Sequence, residues 1–348
     1  MSGDIDNRTV REVGEFGLIA ALHGALPSET TAGPALALGI GDDAAIWRPT
    51  PGEALVLTAD GLVEGVHFRL DPGWTDWASL GHKALAVNLS DLAAMGAAAR
   101  LATLTLGLRG TERVVDLTTL YTGIGALAAR AGLLIAGGDI VASPTALNIH
   151  VTAIGETRGG RALTRAGARP GDVIAVSGTL GASAAGLRVL GESEGSPLRR
   201  AATASTLIEA HLRPEPRLAL GEVLLAHGAT AAMDVSDGLL GDLPKLLTAS
   251  GVGGRLDAAA IPVAAAVRAL FPDDWLDLAT RGGEDYELLF TVPSDAFTAI
   301  RREGGEIGAT VTAIGEITRR RVEEPLLVMR GLDGVEAPVQ TGAFDHFR

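Results

Sequence analysis

Seven aspartates are candidates for metal or phosphate chemistry. Asp42 and Asp43 lie in GIGDDAA, Asp60 in LTADG, Asp139 in AGGDI, and Asp234 and Asp237 in MDVSDG, all where apolar runs that read as strands end. Asp91 joins them from NLSDLAAMG, on a helical pattern. Any one of them is open to a plainer reading, because Asp-Gly pairs mark turns and Asp near a helix start is a cap. As a set they pose an electrostatic problem, since gathered carboxylates repel unless cations lie between them, and hard oxygen ligands select Mg²⁺, Mn²⁺ or Ca²⁺. Gly39, Gly41, Gly61, Gly137, Gly138 and Gly238 abut the aspartates. Glycine lets a backbone approach phosphate oxygens closely, so metal-bound phosphate is the expected ligand. Magnesium takes one or two carboxylates plus substrate phosphates, so several carboxylates imply several ions and suit a polyphosphate.

Familiar phosphate motifs do not account for the pattern. Gly39-Ile40-Gly41-Asp42-Asp43-Ala44 has dinucleotide-loop spacing, but its aspartates would face a pyrophosphate and Pro49 follows where a helix is required. The only lysines, Lys83 and Lys245, sit in no Walker A loop. The spacing of Asp234 and Asp237 breaks the every-second-residue ligand series of an EF-hand. Cationic help is concentrated in Arg158, Arg161, Arg165 and Arg169, with no acid between Thr157 and Gly171. This stretch reads either as a solvated basic linker or as a phosphate clamp of planar guanidinium groups. His67, in EGVHF, is open to a structural or a functional role.

The elements that must position these residues alternate in the manner of mixed α/β folds. Helical patterns cover 10–26, 74–95 and 114–131, and strand patterns cover 35–40, 54–58, 101–108, 133–136 and 146–154. The Gly- and Arg-rich TRGGRALTRAGARPGD marks a domain change near 156–171, giving an N-terminal domain 1–155 and a C-terminal domain 156–348. Beyond it come a strand at 173–176, helices near 180–190 and 203–226, and strands near 229–233 and 286–292.

Composition narrows the function. The chain has 348 residues, 47% hydrophobic and 20% charged, as in a packed globular protein rather than a disordered one. A net charge of −13 would repel a polyanion unless cations intervene, so nucleic acid is not expected as a partner. The absence of cysteine removes disulfides, thiolate metal sites and cysteine nucleophiles, and fits a reducing cytoplasm. The polar start is unlike a secretory signal. No stretch matches the roughly 20 apolar residues of a membrane span, so no membrane partner is expected.

Gly14-Glu15-Phe16, GIGDDAA, DGLVEGVHF, KALAVNLSDLAAMGA, GGD, GRALTRAGARPGD, HLRPEPR, MDVSDGL, GGEDYELLFTV and a terminal FDHF occur in that order over nearly the whole chain. The set resembles the thiamine monophosphate kinase family, part of the superfamily of aminoimidazole ribonucleotide synthetase, selenophosphate synthetase and a hydrogenase maturation protein. The resemblance implies a two-domain α/β (α+β) architecture with mixed sheets and flanking helices, and a homodimer formed through an N-terminal sheet. It implies ATP as co-substrate and thiamine monophosphate as acceptor. Carried over position by position, it places several Mg²⁺ ions on Asp43, Thr58, Asp60, Asp91, Asp139, Asp234 and Asp237. The same resemblance puts ATP on Tyr121, Gly138, Arg165 and Ser236, and the acceptor on His67, Glu284 and Phe344. Asp43, Asp60, Asp91, Asp139 and Asp234 would act catalytically through the metal, with no general base. Two positions depart from the family pattern: Ala59 and Ile140 stand where Thr is usual. Another ATP-dependent synthetase of the superfamily and a non-catalytic magnesium–nucleotide sensor are the competing readings.

Overall fold

The computed structural model describes residues 7–321 and 323–339. The chain divides into two compact units, one holding residues up to Leu92 with Ala98–Gly160, the other Ala93–Ala97 and the chain from Arg161 onward. The first unit contains α1 (Val10–Ala25), β1 (Leu36–Leu38), β2 (Ile46–Trp47), β3 (Ala54–Val63), most of α2 (Trp77–Ala94), β4 (Ala98–Leu108), α3 (Val114–Ala131), β5 (Leu134–Ala142) and β6 (Asn148–Thr157). Its main sheet has the order β3-β6-β4-β5, with β6 antiparallel to both neighbours and β4 parallel to β5. β1 and β2 form a separate antiparallel pair.

Side chains alternate along β3, which sets Val56, Thr58, Asp60 and Leu62 on one face and Leu55, Leu57 and Ala59 on the other. The first face is the covered one. On the second, Leu55 is 52% exposed and Leu57 67%. The sequence places Asp60 and Asp139 at strand ends, and both lie instead inside strands. β3 pairs with β6 without interruption from Ala54↔Thr157 to Val63↔Asn148, and Asp139 pairs with Thr105 within β5. A paired neighbour carries Asp-Gly and Gly-Gly-Asp along the ladder against their turn preference, with a register shift in β5 just before Gly137.

Every residue of α2 from Leu80 to Ser90 is buried, the polar His82, Lys83 and Asn88 among the small and apolar residues of a central helix. α2 and α3 meet backbone to backbone. A Cβ on Gly81 would lie 1.9 Å from the Leu120 carbonyl oxygen, and one on Gly123 would lie 2.0 Å from that of Ala78.

The second unit contains β7 (Val173–Ser177), α4 (Ala182–Leu190), α5 (Ala204–Leu212), α6 (Leu218–Ala226), β8 (Ala231–Asp234), α7 (Leu239–Ser250) and β9 (Gly253–Asp257). It continues with α8 (Ala265–Leu270), α9 (Trp275–Arg281), β10 (Leu288–Val292), α10 (Ser294–Glu306), β11 (Val311–Thr318), β12 (Leu327–Arg330) and β13 (Glu336–Pro338). Seven strands form one mixed sheet in the order β13-β12-β9-β11-β7-β10-β8. Alternate residues feed two cores: Val176, Met233 and Leu289 pack with Leu243 and Leu247 of α7, whereas Ala175, Ala232 and Phe290 pack with Leu224 of α6 and Ile300 of α10. The single helix expected over 203–226 is two, parted at Arg213–Arg217. Pro214 and Pro216 withhold backbone donors and disfavour helical geometry in the residues before them. No helix among the described residues is long and apolar enough to cross a membrane.

The α2–α3 contact gives a sharp expectation. Gly123→Ala forces two backbones apart and should lower unfolding free energy by about 2 kcal/mol or more, the scale of core overpacking. Denaturant titration reads it, and an unchanged midpoint would show that the helices do not rely on this approach.

Candidate active site

Thr58 and Asp60, two residues apart on the covered face of β3, meet Asp91 of α2. The Thr58 hydroxyl donates to Asp91 Oδ2, and the Asp60 backbone N–H donates to Asn88 Oδ1 at 3.2 Å. Asn88 is fully buried and its amide donates to the Ala84 carbonyl at 3.2 Å, which fixes the oxygen toward β3. Burial, and then the charge of Asp91, push the Asp60 carboxyl from 3.8 up to about 6. The cluster is thus three hard oxygen donors in which two carboxylates resist ionising together. Among the described residues, no three His, Asp or Glu side chains are gathered closely enough to hold a metal ion by themselves.

Asp139 is placed differently. Asp60 is in register with Val151, Leu104 and Gly138, while Asp139 belongs to the adjacent row of Gly61, His150 and Thr105. It therefore lies on the opposite, exposed face and three strands away, about 14 Å at ordinary strand spacing. Gly138 is in the same row as Asp60 but is itself exposed, and a Cβ there would meet the Leu104 carbonyl oxygen at 1.9 Å. Asp43 is on an exposed loop between β1 and β2, its N–H bonded to Asp42 Oδ1 at 2.8 Å. Tyr121 is buried on α3, and burial raises its phenol. His67 follows β3 in a turn, where Nδ1 accepts the Val63 N–H at 3.1 Å and leaves Nε2 to carry the proton of a neutral ring.

In the second unit, the segments 233–238 and 282–287 are laced together. The Glu284 N–H donates to the Ser236 carbonyl at 2.8 Å, the Tyr286 N–H to that of Val235 at 2.9 Å, and the Val235 N–H to that of Glu287 at 2.8 Å. A Cβ on Gly283 would lie 2.4 Å from the Ser236 carbonyl oxygen, so this approach demands glycine. Glu284 and Tyr286 adopt φ of 64° and 51°, the only non-glycine residues described with positive φ. Each such residue costs on the order of 1 kcal/mol or more, and such strain persists only where surrounding contacts dictate it.

Asp234 ends β8 and is buried, while Ser236 and Asp237 follow half-buried. Both following N–H groups donate to Asp242 Oδ2, at 3.0 and 2.8 Å. Lys245 Nζ lies 2.5 Å from Asp237 and 2.8 Å from Asp242. Partial burial pulls this ammonium down, but the two carboxylates outweigh it and raise it. Arg165 is exposed in the connector, and its backbone carbonyl accepts from Ser250 Oγ at 3.0 Å. Phe344 and the FDHF end lie outside the described residues.

Residues 41–157 match the model of AIR synthase related protein, N-terminal domain, and residues 169–327 that of the C-terminal domain. The thiamine-monophosphate kinase of Escherichia coli (strain K12) is 39% identical over 344 residues, spanning 96% of this chain and 98% of that protein. The chain belongs to the thiamine-monophosphate kinase family. A crystal structure of a family member from Stenotrophomonas maltophilia K279a superposes with a TM-score of 0.80 at 39% identity, over 90% of this chain and 96% of that one. A structure of AaThiL complexed with AMPPCP and TMP gives a TM-score of 0.74 at 31% identity, over 98% and 99% of the two chains.

Against that family background, sequence reasoning passed over Asn88, His211, Arg217, Asp242, Lys245, Asp285 and Glu287. Asp285 is half-buried and accepts the N–H groups of Gly181 at 2.7 Å and Ser183 at 3.1 Å, at the start of α4. Glu287 takes both arms of Arg217, at 2.8 and 2.5 Å, and the Ser177 hydroxyl at 2.5 Å. The markers HLRPEPR and GGEDYELLFTV contain four of these residues, yet nothing in their spacing says that they meet.

Burial is the main cause that lifts the Asp285 carboxyl from 3.8 to about 7, against the backbone donors that favour its charge. The folded chain therefore holds a proton that the unfolded chain releases between those values. Stability from this group is full below about pH 3.8 and is lost as the pH rises through about 7. Asp285→Asn cannot ionise, so its melting temperature should decline less between about pH 4 and 7 than that of the parent, whatever its absolute value. Parallel melting curves across that range would overturn the assignment.

Proposed function

We propose that this chain transfers the γ-phosphoryl group of ATP directly to the phosphate of thiamine monophosphate, giving thiamine diphosphate and ADP. The observation that carries this reading is the cluster of Thr58, Asp60 and Asp91 inside a chain that matches thiamine-monophosphate kinases over nearly its full length. AaThiL, similar over almost the whole chain, has been seen with AMPPCP and TMP together, an ATP analogue beside an acceptor.

The donor set fits magnesium: the oxygens are hard, and Asp60 and Asp91 crowd one another in a way that a cation relieves. In the first unit Thr58, Asp60 and Asp91, with Asp43 on its loop, are proposed as magnesium ligands; in the second unit, taken by itself, Asp234 and Asp237 are proposed likewise. When bound, magnesium neutralises phosphate charge that would otherwise keep two anions apart. Asp139 is proposed as a further ligand, on the face of the sheet opposite to Asp60. Gly138, Ser236, Tyr121 and Arg165 are assigned to the nucleotide, and His67, Glu284 and Phe344 to the acceptor. The exposed guanidinium of Arg165 suits a triphosphate through charge-assisted donation. The acceptor phosphate has a second pKa near 6, so its oxygen is largely ionised at neutral pH and requires no general base. A phosphoenzyme is not needed, and the carboxylates serve by binding rather than by attack.

A homodimer is proposed through the uncovered face of the β3-β6-β4-β5 sheet. Leu55, Leu57 and Val141 are 52%, 67% and 44% exposed, an apolar face suited to a second copy. The cysteine-free composition supports a cytoplasmic setting.

Release of ADP should require both magnesium and thiamine monophosphate. Turnover in EDTA equal to that in magnesium, or equal ATP consumption without the acceptor, would remove this function. Asp91→Asn keeps shape and can still accept from Thr58, but it removes the charge beside Asp60. Activity should fall by about 100-fold or more, while the metal-free protein melts at the same or a higher temperature. Near-normal thiamine diphosphate formation would take Asp91 out of the site, and a lower melting temperature in EDTA would make its role structural.

A further inference from the structure

His211, at the end of α5, is buried at 6% exposure. Its Nδ1 lies 3.0 Å from Ser183 Oγ and 3.5 Å from Glu284 Oε2. Ser183 is itself fixed, because its backbone N–H donates to Asp285 Oδ1 at 3.1 Å, and Asp285 is the next residue after Glu284. The four residues therefore form a closed circuit: Glu284 to His211 to the Ser183 hydroxyl through side chains, the Ser183 backbone N–H to Asp285, and back along the chain to Glu284. Glu284 needs such support, since its φ of 64° is one that a glutamate does not adopt by preference. A carboxylate this close to Nδ1 favours the tautomer with its proton on that nitrogen, which then points a donor between the Ser183 and Glu284 oxygens.

We propose that His211 is a positioning residue for the acceptor, holding the Glu284 carboxylate so that it meets a phosphate monoester carrying a cationic aromatic ring. The inference rests on the reading of Glu284 as an acceptor contact. Within that reading, His211 touches neither nucleotide nor transferring phosphate and acts through Glu284. A neutral imidazole serves this task well, for it directs the carboxylate without cancelling the negative charge that attracts the cation. Asp285 completes the device by anchoring the strained segment to the first turn of α4 through Gly181 and Ser183.

The test is steady-state kinetics of the full-length enzyme with ATP and thiamine monophosphate varied separately. His211→Leu removes the donor, and His211→Asn places an amide N–H near the position of Nδ1. The Leu variant should raise the KM for thiamine monophosphate about tenfold, the scale of one hydrogen bond to a charged group, with kcat and the KM for ATP within about twofold of the parent. The Asn variant should recover most of that loss. Glu284→Gln should raise the same KM, and His211→Leu added to it should cost little more, because the histidine acts through the residue already changed. If Glu284→Gln leaves the acceptor KM unchanged, the acceptor assignment and this inference fall together. If Glu284→Gln raises it but His211→Leu does not, or raises both KM values equally, the circuit alone is overturned. A lower melting temperature with unchanged acceptor KM would reduce His211 to a packing role.

Discussion

Asp60 and Asp91 are pressed toward each other under α2, and much of the first unit can be understood as what keeps that unfavourable contact in place. Two like charges at such a site would separate if either element could move. β3 cannot, because every residue from Ala54 to Val63 is paired to β6, and α2 cannot, because it is buried from Leu80 to Ser90 and locked to α3 through Gly81 and Gly123. Asn88 adds a polar tie by accepting the Asp60 N–H. The fold thus holds two carboxylates in an arrangement that is unfavourable for the bare protein and that a cation between them would relieve. That is preorganisation, in which packing elsewhere offsets the cost of the site.

The second unit handles charge in the opposite way. Arg217 forks both of its arms onto Glu287, and Lys245 bridges Asp237 and Asp242, so the buried carboxylates of Glu287 and Asp242 each have a cation beside them. Buried pairs of this kind contribute little net stability, but breaking one is costly, so they act chiefly to fix geometry. What they fix is the lacing of 233–238 against 282–287, from which Ser236 and Glu284 project.

Much of this was legible in the sequence, and the limits of legibility are physical. The helix at 114–131 and the strand at 173–176 were readable because apolar periodicity and flanking breakers agree with their tertiary surroundings. The strands through Asp60 and Asp139 were read short, because Asp-Gly and Gly-Gly-Asp favour turns locally and only a paired neighbour overrules them. The prolines at 214 and 216 were visible, yet apolar residues on both sides suggested one helix. Thr58, Asp60 and Asp91 were linked to one another only through family resemblance, since no rule of spacing brings a strand to a helix thirty-odd residues away. His211, Arg217 and Glu287 were harder still, because each pairs across 70 or more residues and a single sequence carries no record of the pairing.

The choice of cation at each buried pair follows from the shape of its task. The chain has 29 basic residues, of which only Lys83 and Lys245 are lysine, so arginine is the default. At Glu287 that default is also the right chemistry, since a planar guanidinium grips one carboxylate with two parallel bonds and holds its plane. At Asp237 the demand differs. One positive centre must satisfy two carboxylates on neighbouring turns of backbone, and a compact ammonium with three rotatable donors does this where a flat fork would align with only one. Glu287 is thus held by two bonds from one cation, whereas Asp237 shares a single ammonium with Asp242.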